Sequence, residues 1–118
     1  MEENVELYKT GWSDWRPFPN PQKGEYLYAP FGPGVYQLRN RKTDEFVLFG
    51  QGGNVAFRMS SLLPEPYGAG VRKNAKKREY VWKYIDDIEY RTIALDSKEK
   101  AKSFERFVKK QDDHIFKR

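Results

Sequence analysis

The chain contains no cysteine, which removes disulfide scaffolds, thiolate zinc sites and cysteine nucleophiles from consideration. It has a single histidine, His114, so a histidine-rich metal centre or a Ser-His-Asp triad with a base to spare finds no support. No apolar run approaches the roughly 20 residues needed to span a bilayer. The opening Met1-Glu2-Glu3-Asn4 is acidic with no apolar stretch behind it, unlike a secretory signal. The expectation is a chain of the cytosol or nucleus, with no membrane partner and no small-molecule cofactor.

What is present is small, polar and rich in rings. The sequence has 118 residues, 38% of them hydrophobic, 33% charged and 16% aromatic, with a mean hydropathy of −0.92. That length suits one compact domain. The polarity alone would permit disorder, but disordered chains are poor in aromatics. A folded domain with an aromatic core or binding face is expected.

The formal charge is +5, and it is unevenly spread. Between Arg72 and Lys83 there are six basic residues and one acid, Glu79. A concentrated basic stripe attracts phosphates by Coulomb steering and counterion release, although a solvated helix face has the same composition. Tyr80, Trp82 and Tyr84 interleave the stripe, and aromatic rings can stack on bases or pack in a core. On this pattern Arg72, Lys73, Lys76, Lys77, Tyr80 and Lys83 are candidate nucleic-acid contacts.

Residues 1–33 contain Trp12, Trp15, Pro17, Phe18, Pro19, Pro21, Pro30 and Pro33, a composition that leaves no room for a long helix. They are expected to form an irregular arm packed over a domain of residues 34–118, with a tip that could reach a substrate groove. Gly34 to Arg39 alternates apolar and polar side chains, as a half-buried strand does. The five polar residues Asn40–Asp44 lead into a nearly continuous apolar strand, Glu45 to Gly50. Asn54 can cap a helix that runs to Leu63, before Pro64. A second helix is expected over 71–86, a third strand over 88–95, and a last helix from Ser97 to about Lys110. The predicted fold is α+β, a three-stranded antiparallel sheet flanked by three helices in the order β-β-α-α-β-α.

Gly34-Val35-Tyr36, followed by Leu48-Phe49-Gly50-Gln51-Gly52-Gly53-Asn54 and then Arg58, resembles the signature of the GIY-YIG nuclease superfamily. Ala101 and Glu105 have the spacing of the alanine and glutamate on that family's later helix. The resemblance spans about residues 34–110 and leaves the arm outside. It implies a GIY-YIG-like fold and hydrolysis of DNA, or RNA, phosphodiester bonds with one divalent ion, Mg2+ or Mn2+. The site roles would fall to Tyr36 at the attacking water, Arg58 on the scissile phosphate and Glu105 as the metal ligand. The chemistry is sound in itself, because cations stabilise the growing charge of a phosphoryl transition state and a carboxylate is a hard oxygen ligand.

Each of these residues also has an ordinary role open to it. Tyr36 could simply pack on its strand, Arg58 could lie along the stripe of Val55, Met59 and Leu62, and Glu105 could pair with Lys109 one turn away. The chain also departs from the family pattern. Leu48 stands where the second motif has a tyrosine, leaving Lys42, Lys76 or Tyr80 as substitutes. Leu62 and Leu63 occupy the place of a frequent histidine, and the later asparagine is not evident, with His114 a substitute. Two functions are therefore open: a metal-dependent endonuclease, or a catalytically inactive module on the same scaffold that binds nucleic acid or a protein.

Overall fold

The computed structural model describes residues 2–63 and 75–116. In chain order its elements are α1 (Glu2–Thr10), β1 (Arg16–Pro17), β2 (Gly34–Asn40), β3 (Glu45–Gly52), α2 (Val55–Ser60), α3 (Ala75–Lys83), β4 (Ile88–Ala94) and α4 (Lys98–Gln111). Short 3-10 turns at Pro21–Lys23 and Ile85–Asp87 complete them. The strands form one antiparallel sheet in the order β1-β4-β2-β3.

The local chemistry sets the boundaries. Asn40 turns the hairpin: its side-chain oxygen accepts the N–H groups of Lys42 at 3.0 Å and Thr43 at 3.2 Å. Asp44 completes the turn at φ 60°, a left-handed conformation that aspartate tolerates better than most residues. Asn40 itself still pairs with Glu45, so the connection is the four residues 41–44 rather than five. Asn54 and Ser97 cap α2 and α4 by accepting from Phe57 N and Lys100 N, as Asn and Ser do at helix starts.

The α+β class and the antiparallel sheet are those the sequence predicts, and the arm adds to both. Its first ten residues precede every proline, and they form α1, which packs Leu7 and Tyr8 with Trp12 against the core. Arg16 and Pro17 add a fourth, two-residue strand at the β4 edge. The arm is thus irregular only after Pro17, apart from its one 3-10 turn. Within the domain, α2 stops at Ser60, short of Leu63, and α3 ends at Lys83 with a 3-10 turn before β4. Residues 71–74 of the expected second helix lie outside the described residues.

Both faces of the sheet are covered. Tyr36, Leu38, Leu48, Ile88 and Tyr90 pack beneath Val55 and Met59 of α2, Val81 of α3 and Phe18 of the arm. Val35, Phe49 and Ile93 pack on the opposite face against Ala101, Phe104 and Val108 of α4. β2 is therefore not half-buried as its alternation suggests; Gln37, in mid-strand, is fully buried.

A buried amide is costly unless its hydrogen bonds are made. The Gln37 carbonyl oxygen accepts from Arg91 Nε at 2.9 Å, and its amide donates to Asp112 Oδ2 at 2.8 Å, with His114 Nε2 at 3.1 Å. The Tyr8 hydroxyl donates to the same Asp112 oxygen. Arg91 lies 4.3 Å from the Trp12 ring and 4.6 Å from Trp15, within cation–π range. Burial, reinforced by Asp112, pushes the Tyr8 phenol up to about 12. Because its folded value exceeds its ordinary 10.0, Tyr8 contributes stability that is complete below about pH 10 and is lost as pH rises toward 12. Tyr8→Phe should abolish this alkaline loss and cost about 1–3 kcal/mol at pH 7 by removing a donor from Asp112. Urea unfolding across that pH range reads both effects.

Candidate functional site

On β3, Gly50 and Gly52 lie two residues apart and so share a face. Neither has a side chain, and each leaves room for a residue from elsewhere. Tyr36 is the register partner of Gly50, and its ring lies across that glycine: a Cβ built there would come 2.5 Å from Tyr36 Cζ. Arg58 crosses Gly52, where a Cβ would come 2.5 Å from Arg58 Cγ. The two side chains thus occupy neighbouring clearings on one strand face. Arg58 is held there by α2, whose start is fixed three times. Pro30 O accepts from Ala56 N at 2.9 Å, Gly32 O accepts from Val55 N at 3.1 Å, and Asn54 accepts from Phe57 N.

Glu105 comes from α4, on the shoulder of the buried stripe formed by Ala101, Phe104 and Val108. Its carboxyl is half-buried, and burial raises its pKa. Opposing that rise are, in order of effect, Arg58, Lys109, Arg106 and Lys77. One desolvated carboxylate therefore sits among four cations drawn from α2, α3 and α4. Arg58 Nε is buried and has no hydrogen-bond partner among the described residues. A guanidinium with a donor unmet, in a region of excess positive charge, suits a planar oxyanion such as phosphate. Among the described residues no group of three or more His, Cys, Asp or Glu is placed to hold a metal.

The other candidates from the sequence scatter. Lys77 is half-buried and within electrostatic reach of Glu105, whereas Lys76 and Lys83 are exposed. Tyr80 packs its ring against Tyr84 and Phe116 and accepts a hydrogen bond from Asn40 Nδ2 at 3.2 Å. Arg72 and Lys73 lie outside the described residues. Leu48 is fully buried beside Tyr36 in the core. Lys42 belongs to the hairpin turn; the turn and the Tyr80–Asn40 contact lie at the far end of β2 from Tyr36, about 13 Å away at 3.3 Å per residue. His114 bonds Gln37 and stacks on Phe49 with centroids 4.5 Å apart, on the sheet face opposite Tyr36. Arg106 and Lys109 were not singled out as site residues by sequence; their only signal is position, one residue and one helical turn beyond Glu105.

No protein-family model matches the chain, and no curated protein matches it. Among solved structures, the chain is similar to the GIY-YIG N-terminal endonuclease domain of UvrC from Thermotoga maritima, crystallised bound to its catalytic divalent cation, magnesium. The TM-score is 0.57 at 19% identity, covering 83% of this chain and 97% of that one. The fold is GIY-YIG-like. Within this GIY-YIG-like fold, Tyr36 and Gly50 are cross-strand partners at the centre of the first two motif strands. Leu48 replaces the expected ring with a side chain that the core absorbs entirely.

The glycine clearings can be tested directly. Gly50→Ala should cost about 1–3 kcal/mol, because a rigid, 7%-exposed tyrosine ring must move. Gly52→Ala should cost less, since Arg58 is a flexible side chain, yet it should displace the guanidinium. Chemical denaturation ranks the two, and an equal cost would contradict the packing described.

Proposed function

We propose that the chain is a divalent-metal-dependent endonuclease that hydrolyses phosphodiester bonds of DNA. The observation that carries the proposal is the buried, unbonded Arg58 Nε beside a desolvated Glu105 carboxylate in a cation-rich setting. Arg58 would grip a non-bridging phosphate oxygen and neutralise the charge that grows there during displacement. Lys77 would add a second positive charge from α3. Tyr36, buried over Gly50, would orient the attacking water through its hydroxyl and take up its proton.

Glu105 is the residue that would hold the ion. A single carboxylate fits magnesium, which keeps several waters and commonly uses one or two protein carboxylates. When bound, such an ion supplies Lewis-acid stabilisation of the leaving oxygen. The partly desolvated state of Glu105 favours a cation at its side over water.

A second reading is favoured by Leu48. A leucine carries no proton, and it lies in the core beside Tyr36, so an inactive module binding nucleic acid on the same surface is the alternative. The two separate on a plasmid-nicking assay with magnesium and with EDTA. The endonuclease reading expects magnesium-dependent nicking that Glu105→Ala abolishes and Arg58→Ala lowers by about 10²–10³-fold, with circular dichroism unchanged. Salt-sensitive DNA binding in EDTA without any nicking in magnesium selects the binding module instead.

A further inference from the structure

Among the described residues, the arm and α2 jointly build a cavity of about 350 Å³ lined by Leu27, Phe31, Ala56, Phe57 and Leu63. Its two rings are unusual for a folded protein, because Phe31 is 84% exposed and Phe57 55% exposed. They are not loosely placed. Pro30 O and Gly32 O, flanking Phe31, are hydrogen-bonded to the first N–H groups of α2, while Phe57 N–H is bonded to Asn54. The backbone beneath both rings is therefore fixed, yet the rings keep their faces in solvent. A soluble protein does not gain from such exposure, and rigidly presented apolar surface marks a binding site.

The next residue after Phe57 is Arg58, whose guanidinium lies over Gly52 with a donor unmet. An occupant of this groove must therefore offer a flat apolar face within one residue of a negative charge. A nucleotide does so, because its base and phosphate are adjoining parts of one unit. Paired bases are stacked inside a duplex and do not present their faces. We infer that Phe31 and Phe57 form a stacking platform for unpaired nucleobases next to the phosphate held by Arg58, so that the preferred substrate is single-stranded or locally unpaired nucleic acid. The inference rests on the nucleic-acid reading of the Arg58 site. Aromatic–base stacking tolerates any sequence, so the platform selects strand state and not sequence.

The test is fluorescence anisotropy in EDTA with a labelled single-stranded oligonucleotide and a blunt duplex of the same sequence. The full chain should bind the single strand more tightly than the duplex. Phe31→Ala and Phe57→Ala should each weaken single-strand binding about tenfold, as expected for one lost stacking partner, and change duplex binding less than twofold. Phe31→Trp should keep single-strand affinity, and Phe31→Leu should lose it. Binding of both oligonucleotides with no effect of either alanine substitution overturns the platform but leaves the nucleic-acid reading standing. An unchanged affinity in Phe31→Leu also overturns it, because the groove then takes any apolar group, as a protein partner would offer. Binding of neither oligonucleotide sinks both readings together.

Discussion

Because β2 is hydrogen-bonded along both edges and covered on both faces, every polar group it carries must find a partner inside the protein. This constraint organises much of the molecule. On the α4 side it gathers Arg91, Asp112, His114 and Tyr8 around Gln37, tying α1, β4 and the segment after α4 to one amide. On the α2 side it leaves Tyr36 as the strand's one hydroxyl-bearing ring, and that ring fits only because β3 carries glycine at position 50. The same sheet thus has a structural polar network on one face and a candidate chemical site on the other. They share a strand and little else.

The candidate site is held by parts that would each be unremarkable alone. α2 is only six residues long and contributes two buried side chains, so its start depends on the arm's carbonyl groups as much as on its own packing. The arm is consequently a component of the site and more than a cover. It caps the helix that positions Arg58, and it sets Phe31 opposite Phe57. Glu105 is held differently, by a long amphipathic helix whose apolar stripe fixes its height over the sheet. Desolvation of that carboxylate works against folding, and surrounding cations offset part of it. Such a tension between stability and charge placement is common where chemistry is carried out.

Much of this was legible in the sequence for local reasons. The hairpin, the last strand and the α4 stripe follow from hydrophobic period, and Asn54 and Ser97 announce their helices by capping chemistry. Tyr36, Arg58 and Glu105 are identified through motif order. What escaped is non-local or was over-read. The prolines of the arm begin at Pro17, yet their effect was extended to a proline-free stretch that forms α1. The partners of Gln37 lie 54, 75 and 77 residues along the chain, beyond any periodicity. Lys77 and Lys76 are adjacent in a uniform basic run, and only the seating of α3 distinguishes the one near Glu105 from the one in solvent. Tyr80 illustrates the converse: a ring among lysines looks like a stacking residue until Asn40, Tyr84 and Phe116 are seen around it.

A sheet with bare borders can recruit strands from neighbouring molecules, and this one is closed at both ends in different ways. At one border lies β1, two residues long and ending in Pro17, which has no N–H to offer an incoming strand. At the other, Ile115 and Phe116 donate to the carbonyls of Phe46 and Val47 at 3.0 and 2.8 Å, so the chain's own tail occupies the most apolar stretch of β3. A protein guarded in this manner can display naked phenyl groups such as Phe31 and Phe57 without those groups seeding fibrils.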